Sequence, residues 1–418
     1  MKRSEKQTNV MSKKAMRVVI VSQIFFPEKS AASNRMSRFI EGFKDVAETF
    51  LICQMPNYPT GVIPQEYRGM IYKKEDFNGC SVLRTCVIPS DNSKIARRSI
   101  NYITFFLSSL FFGIVKIKKP NIIIGSSPQL LNAFSAALLA KIKRAKFIFD
   151  VRDIWPESIA AMGLMKKGVF YGILEKLELW LYRQADQVLT INEPLKQQIV
   201  DKGVPLEKIQ VLPNVVDLSH TLTATMPKPD YVPKNWFIAL YAGNHSKAQN
   251  MKKILQGVIE SQKKHFPIFY LFVGHGEEKA EMQKAASEHN LENIKFVDQV
   301  DRHQLQLYYS CADVCIASLH SDRVFYSALP TKVLEYMSMS KPVIFLADNY
   351  FAEKIVQVGA GYRLLESEVG LLGDEIMKIC RVDSLKKQMG VNGYAYVFKY
   401  YSPDIFKSTL LRISHNTL

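Results

Sequence analysis

The chain has 418 residues, 47% hydrophobic and 22% charged, with a formal net charge of +16. That length exceeds one ordinary domain, and the composition is that of a soluble globular protein, which excludes a wholly disordered chain. Residues 1–218 carry 32 Lys and Arg against 19 Asp and Glu, a balance of +13, which leaves +3 for residues 219–418. A basic first half points to a polyanionic partner: nucleic acid, an anionic membrane or a phosphorylated substrate.

Residues 1–15 are charged and lack an apolar core, so they read as a disordered leader rather than a signal peptide. From Met16 strands and helices alternate. Arg17–Ser22 is a β-branched run with the look of a buried parallel strand. A loop through Arg35 leads to a helix near 36–46. Strands follow at 50–53, 82–87, 121–124 and 147–151, with a helix near 130–142. Short strands at 188–191 and 209–212 close the first half. This alternation predicts a parallel sheet covered on both faces. The first domain is expected over 16–216.

Ile100–Val115 is mostly apolar and uncharged, with Arg97 and Arg98 before it and Lys116, Lys118 and Lys119 after it. Sixteen residues fall short of the roughly 20 that span a bilayer. Two readings remain open: a buried helix between strands, or a helix half-embedded in a membrane face whose basic flanks grip anionic lipid.

Residues 217–235 are polar and Pro-rich, and read as an interdomain linker. Strands resume at 237–242, 268–273, 294–297, 314–317 and 343–346, giving a second doubly wound domain over 236–400. In such sheets ligands bind at the strands' C-terminal ends, and two such edges facing each other make a deep cleft.

Six cysteines (53, 80, 86, 311, 315 and 380) form no CxxC pair and no zinc-ligand spacing with histidine. They read as reduced structural thiols in a cytoplasmic protein. No G-x-G-x-x-G follows the first strand, and no P-loop, H-E-x-x-H, G-x-S-x-G or D-x-D occurs. All eight histidines lie beyond residue 219, so the first domain has no histidine base.

The most informative stretch is Leu329–Ile344, LPTKVLEYMSMSKPVI. Pro330 suits a helix start, and Val333, Leu334 and Met337 make an apolar face. Free N–H groups and the positive dipole end suit a diphosphate there, close to Thr331. Lys332 adds a full charge, and Glu335 can accept hydrogen bonds from two ribose hydroxyls. The plainer alternative is a surface helix with one solvated glutamate.

Further donor-type loops follow second-domain strands: Gly243 to Asn250, with Lys247 and Gln249 as phosphate contacts and Asn244 on the donor side by the family resemblance given below, and Val273 to Glu277, with Gly274 and Gly276. In the first domain, Arg152 and Asp153 follow the FIFDV strand. Arg152 can hold a phosphate, and Asp153 can orient or deprotonate a hydroxyl. A local Arg–Asp pair fixing the loop is the alternative. Loops at 26–35 and 56–61 share that edge and offer Arg35, Asn57 and Tyr58.

VVIVSQIFFPE, MPNYPTG, FDVRDIWPES, RQADQVLTINE, VLPNVVD, LYAGN, FVGHGEEK, CADVCIASL and LPTKVLEYM, in this order, resemble family-four glycosyltransferases. The nearest branch builds bacterial surface polysaccharides and includes the aminodeoxyhexose (N-acetylfucosamine-type) transferases. The resemblance implies an α/β GT-B fold: two Rossmann-like domains facing a cleft, donor in the second and acceptor in the first. A C-terminal helix within 401–418 would cross back to the first domain. It also implies retention at the anomeric carbon, no cofactor and no required metal. The donor would be a nucleotide-sugar, most simply UDP-linked, and the acceptor an undecaprenyl-diphosphate-linked saccharide of O-antigen or capsule synthesis. The protein would sit at the cytoplasmic face of the inner membrane, its segment 97–119 on anionic lipid, and bind no nucleic acid. Many members carry two glutamates eight positions apart; Glu335 fits the second, and Ser327 stands at the first. A Ser126–Ser127 loop replaces the frequent first-domain histidine, which places Ser127 on the acceptor side. A nucleotide-sugar epimerase of the same architecture and an inactive membrane-bound scaffold are the other two readings.

Overall fold

The computed structural model describes residues 16–28, 30–91, 95–161, 165–216, 218 and 227–418. The expected leader, 1–15, lies outside them, as do 217 and 219–226 of the expected linker. The chain forms two compact units: residues up to Asn214 together with Phe406–Leu418, and Val215–Ile405.

The first unit runs β1 (Met16–Val21), α1 (Ala31–Phe43), β2 (Ala47–Gln54), β3 (Tyr72–Phe77), β4 (Cys80–Thr85), α2 (Ile95–Lys116), β5 (Ile122–Ser126), α3 (Leu130–Lys143), β6 (Lys146–Val151), α4 (Glu157–Ala161), α5 (Val169–Gln184), β7 (Gln187–Thr190), α6 (Glu193–Asp201) and β8 (Ile209–Val211). The sheet order is β3-β4-β2-β1-β5-β6-β7-β8, parallel except for the β3–β4 hairpin. The sequence reading missed β3. Its YKKEDF alternates half-buried and exposed positions on a sheet edge, so it lacks the apolar run that marks the central strands.

Right-handed crossovers put α2, α3 and α5 on one face of this sheet, with their N-termini at the strands' C-terminal edge. Side chains tie that layer together. Ser109 and Ser135 share a 2.7 Å hydrogen bond between α2 and α3. Phe106 stacks on Phe134, which meets Trp180 of α5 edge-on. On the other face, Phe39 of α1 packs edge-to-face on Phe406.

The helix α2 spans 22 residues, longer than the sequence reading allowed, because the turn before Ile100 is also helical. By length and composition alone, Arg97–Lys116 suffices to cross a bilayer. Here, however, one face is core, with Phe105, Ser109 and Phe112 buried. The opposite face exposes Ile100, Ile103, Leu107, Phe111 and Val115, with Leu107 and Phe111 57% and 60% accessible.

The second unit runs β9 (Phe237–Ala242), α7 (Met251–Lys263), β10 (Ile268–Val273), α8 (Lys279–Glu288), β11 (Ile294–Val297), α9 (Arg302–Cys311), β12 (Val314–Ser318), α10 (Thr331–Ser338), β13 (Val343–Leu346), α11 (Tyr350–Gln357), β14 (Gly361–Leu364), α12 (Leu372–Cys380) and α13 (Asp383–Tyr401). Its six strands, ordered β11-β10-β9-β12-β13-β14, are all parallel. A last helix, α14 (Pro403–Thr417), starts here and enters the first unit, where Leu410 packs at Gly42 of α1. All six cysteines are free thiols.

Candidate active site

In the second unit, α10 starts at the strands' C-terminal edge, with Pro330 as the residue before its first turn. The face of Val333, Leu334, Tyr336 and Met337 is buried, which fixes the directions of Lys332 and Glu335. Tyr336 reinforces this placement: its hydroxyl accepts from Ala242 N (2.9 Å) and donates to Ala242 O (3.1 Å), pinning α10 to the end of β9.

Lys332 reaches across to the loop after β9. Its Nζ donates to the Tyr241 hydroxyl (2.6 Å) and to Gln249 Oε1 (2.7 Å). It lies 4.1 Å from the centre of the Tyr241 ring. Gly243 has φ +148°, a conformation that favours glycine, and a Cβ there would come to 2.8 Å from that Nζ, so that a side chain at 243 displaces the lysine head. No carboxylate bonds Lys332, and burial pulls its pKa down to about 7, opposed only by the nearby charge of Glu335. An ammonium so placed gains most from an anion brought to it.

Glu335 accepts a 2.9 Å hydrogen bond from the Tyr309 hydroxyl through Oε2. It lines a recess of about 50 Å³ with Arg302, Gln306 and Tyr309. Burial raises its pKa, opposed by Tyr309, Arg302 and Lys332. The sequence reading missed Arg302 and Tyr309; they sit on α9, and only tertiary packing brings them to Glu335.

The remaining donor-type residues divide. Gln249 presents its oxygen to Lys332 and so acts through it. Asn244 and Lys247 are exposed in the same loop. Gly276 lies where a Cβ would strike the Asn244 side chain and the His245 carbonyl, and Gly274 where it would strike Gly243 O. Both therefore permit loop packing. Ser327 lies in the turn before α10, and Thr331 is exposed at its first position. His245, unremarked in the sequence, is fully buried with neither ring nitrogen hydrogen-bonded. Burial, then Lys279 and Lys332, hold its pKa at about 4, so the imidazole is neutral at pH 7.

In the first unit, Arg35 is not an available acceptor-side group. Its side chain is 1% exposed and ion-paired at 2.6 Å with the fully buried Asp150. Its other donors go to Leu212 O (3.0 Å) and Asn214 Oδ1 (3.1 Å). Asp150 also accepts from Ser126 Oγ (2.8 Å), so this carboxylate is the anchor of the D-x-R-D motif. Arg152 N donates to Ser127 Oγ (2.7 Å), and Arg152 Nε is buried without a partner. Burial and the Arg35 charge lower the Arg152 pKa. Asp153 is solvent-accessible next to it.

Asn57, Tyr58 and Ser127 come together on one cavity of about 360 Å³ at the ends of β1, β2 and β5. The loop carrying Asn57 and Tyr58 is held by Glu28, whose Oε1 accepts from both backbone N–H groups at 2.8 and 2.7 Å. Among the described residues, no group of three or more His, Cys, Asp or Glu is placed to hold a metal ion.

Residues 60–215 match the glycosyl transferase 4-like domain, and residues 225–396 match glycosyl transferases group 1. The chain is a hexosyltransferase-type glycosyltransferase of GT-B fold. It is 23% identical over 350 residues to the "putative colanic acid biosynthesis glycosyl transferase WcaI" of Escherichia coli strain K12; the match spans 80% of this chain and 84% of WcaI. Among solved structures, a sucrose-phosphate synthase from Thermosynechococcus elongatus is similar at TM-score 0.69 and 14% identity, over 96% of this chain and 99% of that one. HepE from Anabaena, in complex with UDP-glucose, is similar at TM-score 0.65 and 13% identity, over 96% and 100%.

Proposed function

We propose that this glycosyltransferase moves a sugar, an N-acetylated aminodeoxyhexose, from a UDP-linked donor to an undecaprenyl-diphosphate-linked saccharide, with retention, in bacterial O-antigen or capsule synthesis. The donor binds the second unit. Glu335 takes the ribose hydroxyls through its open oxygen, while Lys332 and the N–H groups of α10 take the diphosphate. As the glycosidic bond breaks, its electron pair leaves with the diphosphate, and these positive groups meet the growing charge. No metal enters this scheme. On the first unit, Arg152 and Asp153 position the acceptor hydroxyl, and Asp153 is placed to take its proton.

The observation that carries the reading is Lys332: a partly buried ammonium with no carboxylate bonded to it, at a helix N-terminus, one turn from Glu335. HepE's complex with UDP-glucose, on a similar fold, supports a UDP-sugar as donor.

The exposed stripe of α2 supports a site at the cytoplasmic face of the inner membrane. Val169, Phe170 and Ile173 of α5 are also exposed, beside the exposed Lys166 and Lys167. Apolar side chains flanked by lysine and arginine suit an anionic bilayer surface.

Thermal unfolding with UDP, GDP and dTDP, for the wild type and Glu335→Ala, tests the donor assignment. UDP should raise the melting temperature by mass action, and the variant should lose that shift. A shift with GDP or dTDP alone would reassign the nucleotide, and no shift with any of them would overturn the donor site.

A further inference from the structure

The loop that carries Arg152 and Asp153 depends on side chains outside it for its shape. Asp153 is exposed and makes no side-chain hydrogen bond among the described residues, so its carboxylate is placed by the backbone that carries it. At the near end that backbone is fixed by the Arg35–Asp150 ion pair and by the bond from Arg152 N to Ser127 Oγ (2.7 Å). At the far end stands Glu157, the first residue of α4. A helix of five residues does not hold itself in place, so its position comes from what its side chains meet.

Glu157 meets a lysine from another part of the unit. Its Oε1 accepts from Lys202 Nζ (2.5 Å), the one side chain that bonds this carboxylate among the described residues. Lys202 directly follows α6. The same Nζ donates to Oε2 of Glu178 (2.5 Å) on α5, whose side chain is 1% exposed. The other oxygen of Glu178, Oε1, accepts from the Tyr182 hydroxyl (2.8 Å). Both oxygens of Glu178 are therefore bonded, and the lysine head rests on a fixed point of the core. Burial works against the Lys202 charge, but Glu178 and Glu157 more than offset it and raise its pKa, so the head stays an ammonium.

Stability alone requires only half of this arrangement. The buried Glu178 needs a cation, and Lys202 supplies it. Glu157 does not need one: its side chain is 38% exposed and can be solvated, and a bond to so open a carboxylate adds little stability. What the second bond does is join α4, four positions beyond Asp153, to that fixed point of the core.

We propose that Lys202 is a positioning residue for sugar transfer: held by Glu178, it holds Glu157, and through Glu157 the loop that sets Arg152 and Asp153 at the acceptor hydroxyl. The assignment rests on the role proposed above for those two residues. A misplacement of about 1 Å at a reacting group can cost about 100-fold in rate.

The test uses the full chain and two variants that cut the tether differently. Glu157→Ala breaks it and leaves the buried Lys202–Glu178 pair intact, while Lys202→Met breaks both bonds. Label passing from UDP-N-acetylaminosugars into the lipid of bacterial membranes reads transfer, and hydrogen exchange with mass spectrometry reads the loop. Each variant should lower kcat about tenfold or more with the donor KM unchanged, and should speed exchange at 152–158 about tenfold or more while β5 and β6 exchange as before. Lys202→Arg, which keeps a cation between the two carboxylates, should recover most of both losses. Full transfer by Glu157→Ala would overturn the positioning role and leave Lys202 as a stability residue. Unchanged exchange at 152–158 in either variant would overturn it as well. Normal transfer by Arg152→Gln with Asp153→Asn would count against the role of those two residues, and the exchange result would then decide the tether by itself.

Discussion

Lys332 should make nucleotide binding fall as pH rises through neutrality. Burial holds its pKa at about 7, against an ordinary 10.5, so the free protein loses this charge between pH 6 and pH 8. Of the two forms of Lys332 only the ammonium attracts a diphosphate, and the terminal phosphate of UDP, with a second pKa of about 6, is already mostly ionised at pH 7. From pH 7 to pH 9 the charged fraction falls from about one half to about one hundredth, which weakens UDP binding by up to about 50-fold. Bound diphosphate raises the lysine pKa in turn, so proton uptake should accompany binding at pH 8. Titration calorimetry in buffers of different ionisation enthalpy reads both quantities. Lys332→Arg should bind UDP with little pH dependence, and Lys332→Gln should bind weakly and flatly. A wild-type affinity that is level between pH 7 and pH 9, with no proton uptake, would refute the placement of this lysine at the phosphates.

Other consequences follow from single contacts. Arg35→Met leaves the buried Asp150 carboxylate unpaired, and should cost about 3–5 kcal/mol in denaturant unfolding; a loss below about 1 kcal/mol would contradict the buried pair. Gly243→Ala puts a methyl group against Lys332 Nζ at a φ that disfavours side chains, so it should cost about 1–3 kcal/mol and weaken UDP; unchanged UDP affinity would separate Lys332 from the site. Sedimentation with phosphatidylglycerol vesicles tests α2. Leu107→Asp with Phe111→Asp should release the protein at least about tenfold, since each such side chain gives about 1.5–3 kcal/mol on burial. Equal sedimentation by wild type and variant would leave α2 without a membrane role.

The sequence makes some of this site legible and hides the rest, for physical reasons. Pro330 and the spacing of Val333, Leu334 and Met337 mark α10, because a helix start and an apolar face are local properties. Lys332 and Glu335 could therefore be read directly. What they touch could not: Tyr241 lies 91 residues from Lys332, and Tyr309 lies 26 from Glu335. Arg35 shows the opposite failure. A lone arginine in a small-residue loop looks like a ligand group until Asp150, 115 residues on, meets it in the core. One face of Ile100–Val115 is buried and the other exposed, a division that composition cannot record because it does not say which face a sheet covers. Asn57, Tyr58 and Ser127 could be placed on one strand edge, but the rest of the cavity they line comes from separate stretches of chain and left no local signal.

The most direct test of the account is sugar transfer itself. Purified protein is given bacterial membranes as the acceptor source and a panel of radiolabelled UDP-sugars, and label entering the butanol-extractable lipid is counted. The account predicts incorporation from one UDP-N-acetylaminosugar, lost in Glu335→Ala and in Lys332→Gln. Label that stays in water as an epimerised nucleotide sugar, or incorporation unaffected by both variants, would contradict it.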